Sequence, residues 1–294
     1  MQDILKNLPE SRRTSRAWIG ISILIIYLLS FTLINVLAST VVEVDDQFLL
    51  SQNPISLLIT QAVSQFFMFI VVGILISFLL LKFDIKDFFN RTPWIIVGYC
   101  VAIAFGSMVV ISAIGEWNMN LDFGDSDFAL WAKKSEEQLK ILTEHITNFQ
   151  SLTHFLLAIF AVAIIPAIGE ELIFRGLIQS LFVRVLKNHH VAIWLTGFIF
   201  AAIHLQFFGL APRMLLGVVF GYMYHWSGKL STAMIGHLVN NGLALLFLYV
   251  AQSGVVDIST EQLDEAAPWP MVLISLIVTA FLLFKFQKQV RTDA

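Results

Sequence analysis

The sequence predicts an all-α protein: a polytopic bundle of about eight transmembrane helices with both termini cytoplasmic. Three observations carry this. Of 294 residues, 57% are hydrophobic and only 13% are charged; the mean hydropathy is +0.80. Soluble domains carry roughly 45–50% apolar and about 25% charged residues, so this chain has too few charges to cover a surface in water. Second, the apolar residues, 26 Phe among them, fall in runs close to the ~20 residues that a membrane-spanning helix needs. Third, the charges are sorted by side. If the N-terminus is cytoplasmic and the runs alternate, fourteen of the 18 lysines and arginines lie on the inner side, as the positive-inside rule requires. Acidic residues such as Glu43, Asp45, Asp46, Asp122 and Asp257 gather on the other side. A soluble enzyme, a disordered chain and a basic nucleic-acid binder are excluded. The single cysteine, Cys100, excludes an internal disulfide.

The runs are Trp18 to Thr40, Leu57 to Leu81, Trp94 to Gly115, Phe155 to Phe174, Val191 to Phe208 and Thr232 to Val250, with weaker ones at Pro212 to Ser227 and Trp269 to Phe286. The first is too long for a typical cleaved signal segment and reads as a retained helix. Residues 1–17 and 287–294 are expected as cytoplasmic tails and 18–286 as the membrane domain, with a catalytic core at 152–250. The loop from Glu116 to Gln150 carries Leu139, Leu142, Ile146 and Phe149 three and four apart. That is one face of an amphipathic helix starting at Asp127, expected to lie on the membrane or cap the bundle, or less simply to act as a lid.

Ionisable groups inside apolar runs cost about 2.5–3.5 kcal/mol each on insertion scales, and so point to function. Three places carry them. After Pro166 comes Gly169-Glu170-Glu171-Leu172-Ile173-Phe174-Arg175. On a helix Glu171 and Arg175 share a face, with the acid N-terminal to the base, the favourable order for an ion pair. Glu170 lies about 100° away with no partner in register, and is free for proton chemistry. Phe200 and His204, four apart, mark the fifth run; His237 and Asn241, also four apart, mark the seventh. Each place has a plain structural reading too: helix-end carboxylates, a packing histidine, or polar contacts between helices. Together they supply a general base, a second polarising group and a donor pair for an oxyanion, the parts that amide hydrolysis needs. Ser180 and Cys100 have no partner pattern, so water is the expected nucleophile. His189, His190, His225 and Trp226 read as interfacial residues, and Asn240 as a packing group directed away from the His237 face.

These residues resemble the CPBP intramembrane proteases, also called the Abi family, which includes the type II CAAX prenyl endopeptidases and bacteriocin-processing and self-immunity proteins. The family pattern of E-E-x-x-x-R, F-x-x-x-H and H-x-x-x-N is matched in order by Glu170-Glu171 to Arg175, Phe200 to His204 and His237 to Asn241. The resemblance covers roughly residues 152–250. It implies a glutamate-dependent endopeptidase with Glu170 as general base aided by His204, and with His237 and Asn241 stabilising the oxyanion. Arg175 would hold Glu171, and Phe200 would pack behind His204. The implied partners are a peptide or protein substrate in or at the membrane and the lipid bilayer, with no nucleic acid. The implied location is the bacterial cytoplasmic membrane. No cofactor or metal is expected. A zinc enzyme is the alternative, since two histidines and a glutamate are a catalytic zinc set, though the sequence lacks H-E-x-x-H. A non-catalytic immunity or scaffold protein is the third reading.

Overall fold

The computed structural model describes residues 5–41, 46–83, 85–89, 91–122, 124, 126–255 and 267–292. Among these there is no strand, and the chain is a helical bundle. In order the helices are α1 (Glu10–Val41), α2 (Asp46–Ser51), α3 (Pro54–Leu80), α4 (Trp94–Met119), α5 (Asp127–Thr147), α6 (Leu152–Leu186), α7 (His189–Ala202), α8 (Leu210–Ser227), α9 (Leu230–Gln252) and α10 (Trp269–Thr292). Seven of the described helices are long and apolar enough to cross a membrane: α1, α3, α4, α6, α8, α9 and α10. The protein is a multi-pass membrane protein. Side chains such as Ile26, Leu29, Phe78 and Ile277 point outward, each more than 60% exposed, which suits lipid as the surrounding solvent.

Two runs end elsewhere than expected. The run from Val191 to Phe208 is not one spanning helix. It stops at Ala202 after 14 residues, about 21 Å at 1.5 Å per residue, short of a ~30 Å hydrocarbon core. The stop is a turn at residues 203–205 in which Leu205 takes a left-handed φ of 55°, a conformation an α-helix cannot continue through. A 3₁₀ turn, Phe207–Gly209, then leads into α8. The run from Phe155 does not end at Phe174 either. It continues to Leu186 as a helix of 35 residues, with every residue from Leu172 to Gln179 buried. The helices also extend into the expected tails, since α1 begins at Glu10 and α10 ends at Thr292. The acidic residues 43 and 45 of the first outer loop, and 257, 261, 264 and 265 of the last, lie outside the described residues.

The expected amphipathic helix is α5. Ser126 caps it by accepting from the Ala129 N–H. Leu142, Ile146 and the following Phe149 pack on Leu58, Ala62, Ala158 and Ala161, so this helix caps the bundle.

The central helix α6 is wound loosely in two stretches of π-helix, Ile159–Ile164 and Leu172–Gln179, a form that recurs at functional sites. The first has a local cause. Pro166 has no N–H to give to the carbonyl four residues back and its ring crowds that carbonyl, so Val162 O is released from the helix ladder. Between the two stretches α6 presses on α3 at Gly169, where a Cβ would lie 2.7 Å from Phe69 Cβ and 3.1 Å from Ile70 Cγ1. Gly169→Ala is expected to force these backbones apart at about 1–3 kcal/mol and to displace the adjacent Glu170. Thermal melting in detergent and turnover should both fall; an unchanged melt would mean that the contact yields freely.

Candidate active site

Arg175 is the largest fully buried side chain, at 0% exposure, and Glu171 is also at 0%. Arg175 Nη1 lies 2.9 Å from Glu171 Oε1, the pair expected from their spacing. Arg175 Nη2 donates to Gly217 O at 3.3 Å. The guanidinium lies over the Phe200 ring, 4.6 Å from its centroid, a further cation–π attraction. Phe200 therefore packs on both Arg175 and His204; the His204 and Phe200 centroids are 5.1 Å apart.

Spacing did not reveal that Glu171 has a second partner. His237 Nδ1 lies 2.8 Å from the same Oε1. A carboxylate held by Arg175 accepts, so His237 Nδ1 donates and its Nε2 edge is left for other work. Phe220 stacks on the ring at 5.7 Å and 18°, and Phe200 meets its edge at 6.3 Å. Arg175, Glu171 and His237 thus form one buried chain across α6 and α9.

Glu170 is 6% exposed and makes no hydrogen bond or ion pair with a described residue. Its charged neighbours are His237, acting most strongly, then Glu171, Arg175 and Arg213. His204 Nδ1 lies 2.7 Å from Phe200 O. A carbonyl only accepts, so this nitrogen carries the proton and Nε2 carries the lone pair.

Asn241 differs from its expected role of a free donor. Its Nδ2 donates to Val162 O at 3.0 Å, the carbonyl released by Pro166. Asn240 is not directed elsewhere; its Nδ2 donates to Asn241 Oδ1 at 3.2 Å and fixes the amide. One Asn241 N–H is therefore structural and only the second is available to a ligand. Asn241→Ala is expected to lower the melting temperature, because a buried carbonyl loses its partner at about 1–3 kcal/mol. It is also expected to slow turnover; a rate defect with an unchanged melt would show that the Val162 bond carries no weight.

Three contributors escaped the sequence reading. Asn118, at the end of α4, donates from Nδ2 to Phe207 O at 2.9 Å and accepts from Ala211 N at 2.8 Å, clamping the turn between His204 and α8. Arg213, in the first turn of α8, stood among the loop cations. Glu136, on α5, accepts from Gln206 Nε2 at 3.5 Å. Of the other histidines, His189 stacks on His225 at 4.2 Å and His190 Nδ1 meets Tyr222 OH at 2.6 Å, while His145 Nε2 meets Gln52 O and the buried His154 Nε2 meets Ile146 O. Among the described residues no three His, Cys, Asp or Glu side chains are grouped to hold a metal ion.

Comparison with known proteins follows this geometry. Residues 152–243 match the family model "Type II CAAX prenyl endopeptidase Rce1-like". The chain is 24% identical over 160 residues to the "Membrane-embedded CAAX protease MroQ" of Staphylococcus aureus (strain USA300), covering 53% of this chain and 57% of that one. It is 28% identical over 102 residues to the "Uncharacterized protein YpbD" of Bacillus subtilis (strain 168), covering 33% and 47%. No solved structure matches. The chain spans about half the length of the curated relatives it matches. Over the residues that carry the three motifs, these matches support a likeness to the CAAX protease family.

Proposed function

We propose that this protein is an intramembrane endopeptidase that hydrolyses a peptide bond of a hydrophobic or membrane-associated substrate with a water activated by Glu170. The observation that supports it most is the division of labour between adjacent carboxylates. Glu171 is engaged by Arg175 and His237 through one oxygen, while Glu170 beside it is buried and unengaged. A base with no internal partner is ready to take a proton from water. His204 offers the Nε2 lone pair as a second acceptor. The resulting hydroxide adds to the scissile carbonyl, and His237 Nε2 and the remaining Asn241 N–H stabilise the oxyanion. A His237 ring that donates at Nε2 as well as Nδ1 carries both protons, and Glu171 is its counter-ion. The proton on Glu170 then passes to the leaving amine.

In this reading no metal takes part. The location that fits is a bacterial cytoplasmic membrane. The test is comparative peptidomics of membranes holding the wild type or Glu170→Gln, repeated after exhaustive chelation. Cleavage products that need Glu170 and survive chelation are expected. Products lost on chelation and restored by zinc would support the metalloprotease. Full biological function of Glu170→Gln with no product would support a non-catalytic immunity or scaffold protein.

A further inference from the structure

A second group of polar side chains lies near Glu170, and its members are not in the three motifs. Arg213 acts electrostatically on both Glu170 and Glu136. Its guanidinium folds back over Gly209, where a Cβ would lie 2.0 Å from Nη1 and 2.9 Å from Cζ. Only glycine leaves room for that pose. Yet Arg213 Nη1, though buried, has no protein acceptor. Glu136 mirrors it: Oε1 accepts from Gln206, while Oε2 is buried and has no protein donor. Burial pushes the Glu136 carboxyl above its ordinary value, and Arg213 pulls it back. Glu136 is carried by α5, which is docked here by Phe128 and Trp131 against Phe207, with ring centroids 4.7 and 5.8 Å apart.

A buried donor and a buried acceptor left open on two side chains that interact electrostatically each cost free energy until something satisfies them. The charge balance says what fits. Glu136, Glu170 and Glu171 are matched by Arg175, Arg213 and the His237 ring that carries both protons, so an incoming carboxylate would bring a negative charge with no counter-ion. A peptide unit is neutral and carries one acceptor and one donor.

We propose that Arg213 and Glu136 bind one peptide unit of the substrate backbone next to the scissile bond, Arg213 Nη1 donating to its carbonyl and Glu136 Oε2 accepting from its N–H. The proposal rests on the endopeptidase reading above. It makes α5 a cap that also supplies a substrate contact, and it makes recognition at this subsite one of backbone rather than side chain.

The test uses the full-length protein in nanodiscs and the substrate peptide mapped by the peptidomics above, synthesised with single N-methyl groups at successive amides. In the wild type one methyl position near the scissile bond should lower kcat/KM about ten- to hundredfold, as expected for a lost hydrogen bond to a charged group, and mainly through KM. Glu136→Met should lower kcat/KM for the parent peptide by a similar factor and abolish the added effect of that methyl group. Arg213→Met should weaken the parent peptide likewise. Gly209→Ala, which keeps the charge but fills the cradle, should do the same. Melting temperatures accompany each variant. A Glu136→Met enzyme with the wild-type N-methyl profile, or variants altered only in melting temperature, would overturn the clamp. So would an Arg213→Met defect that vanishes when the peptide's C-terminus or acidic side chains are neutralised, since Arg213 would then be reading a carboxylate. Cleavage that depends on Glu170 with a flat N-methyl profile sinks the clamp alone; cleavage indifferent to Glu170→Gln sinks the endopeptidase reading and the clamp with it.

Discussion

Glu170→Gln is expected to lose turnover by about 10²–10⁴-fold or more, the range for removing a positioned general base, while its melting temperature stays level or rises. The two effects have one cause. Glu170 is buried without a partner, so its charge is held at a desolvation cost that the neutral amide avoids. The amide is nearly the same size and still fits beside Gly169, but it cannot take a proton. Glu171→Gln is the control. It breaks contacts to both Arg175 and His237, so it should lose stability as well as rate. The checks are turnover of the mapped peptide in nanodiscs and thermal melting of the same samples. Near wild-type turnover in Glu170→Gln, with a folded but inactive Glu171→Gln, would reverse the two roles.

The sequence carried the architecture well, because it is written in local periodicity. Runs of apolar residues mark helices that face lipid, and four-residue spacing on one helix puts Glu171 below Arg175, Phe200 below His204 and His237 below Asn241. What it carried poorly was anything between helices. Nothing in local spacing joins His237 to Glu171, which lie 66 residues apart. The end of α6 was misplaced because Glu170, Glu171 and Arg175 lower local hydropathy as a loop would. They are instead satisfied inside the bundle, and the helix runs on for twelve residues past Phe174. The break at His204 was hidden for the opposite reason. Phe207 and Phe208 continue the apolar run, and only the left-handed turn at Leu205 separates α7 from α8. Pro166 stands in the sequence just before the paired glutamates. Its consequence, a free Val162 carbonyl taken by Asn241, needed the fold.

Arg175→Ala is expected to be the most damaging single change for stability. It leaves Glu171 as a charge at 0% exposure with only His237 to answer it, and removing one partner of a buried ion pair costs about 3–5 kcal/mol. It also deletes a donor to Gly217 O and the cation over Phe200, so α6 loses one of its ties to α8 and the contact with the ring that backs His204, while Gln179 to Gly221 and Ser180 to Tyr224 remain. Arg175→Lys separates charge from geometry. Lysine keeps the charge, but a single ammonium cannot reach Glu171 and Gly217 together, nor lie flat on an aromatic ring. Lysine should therefore restore only part of the melting temperature and little of the turnover, because Glu171 would no longer be held where it sets the His237 ring. Melting and kinetics in nanodiscs read the two losses separately. If Arg175→Lys regained full rate, charge alone would suffice and the fork geometry would have no role in positioning His237.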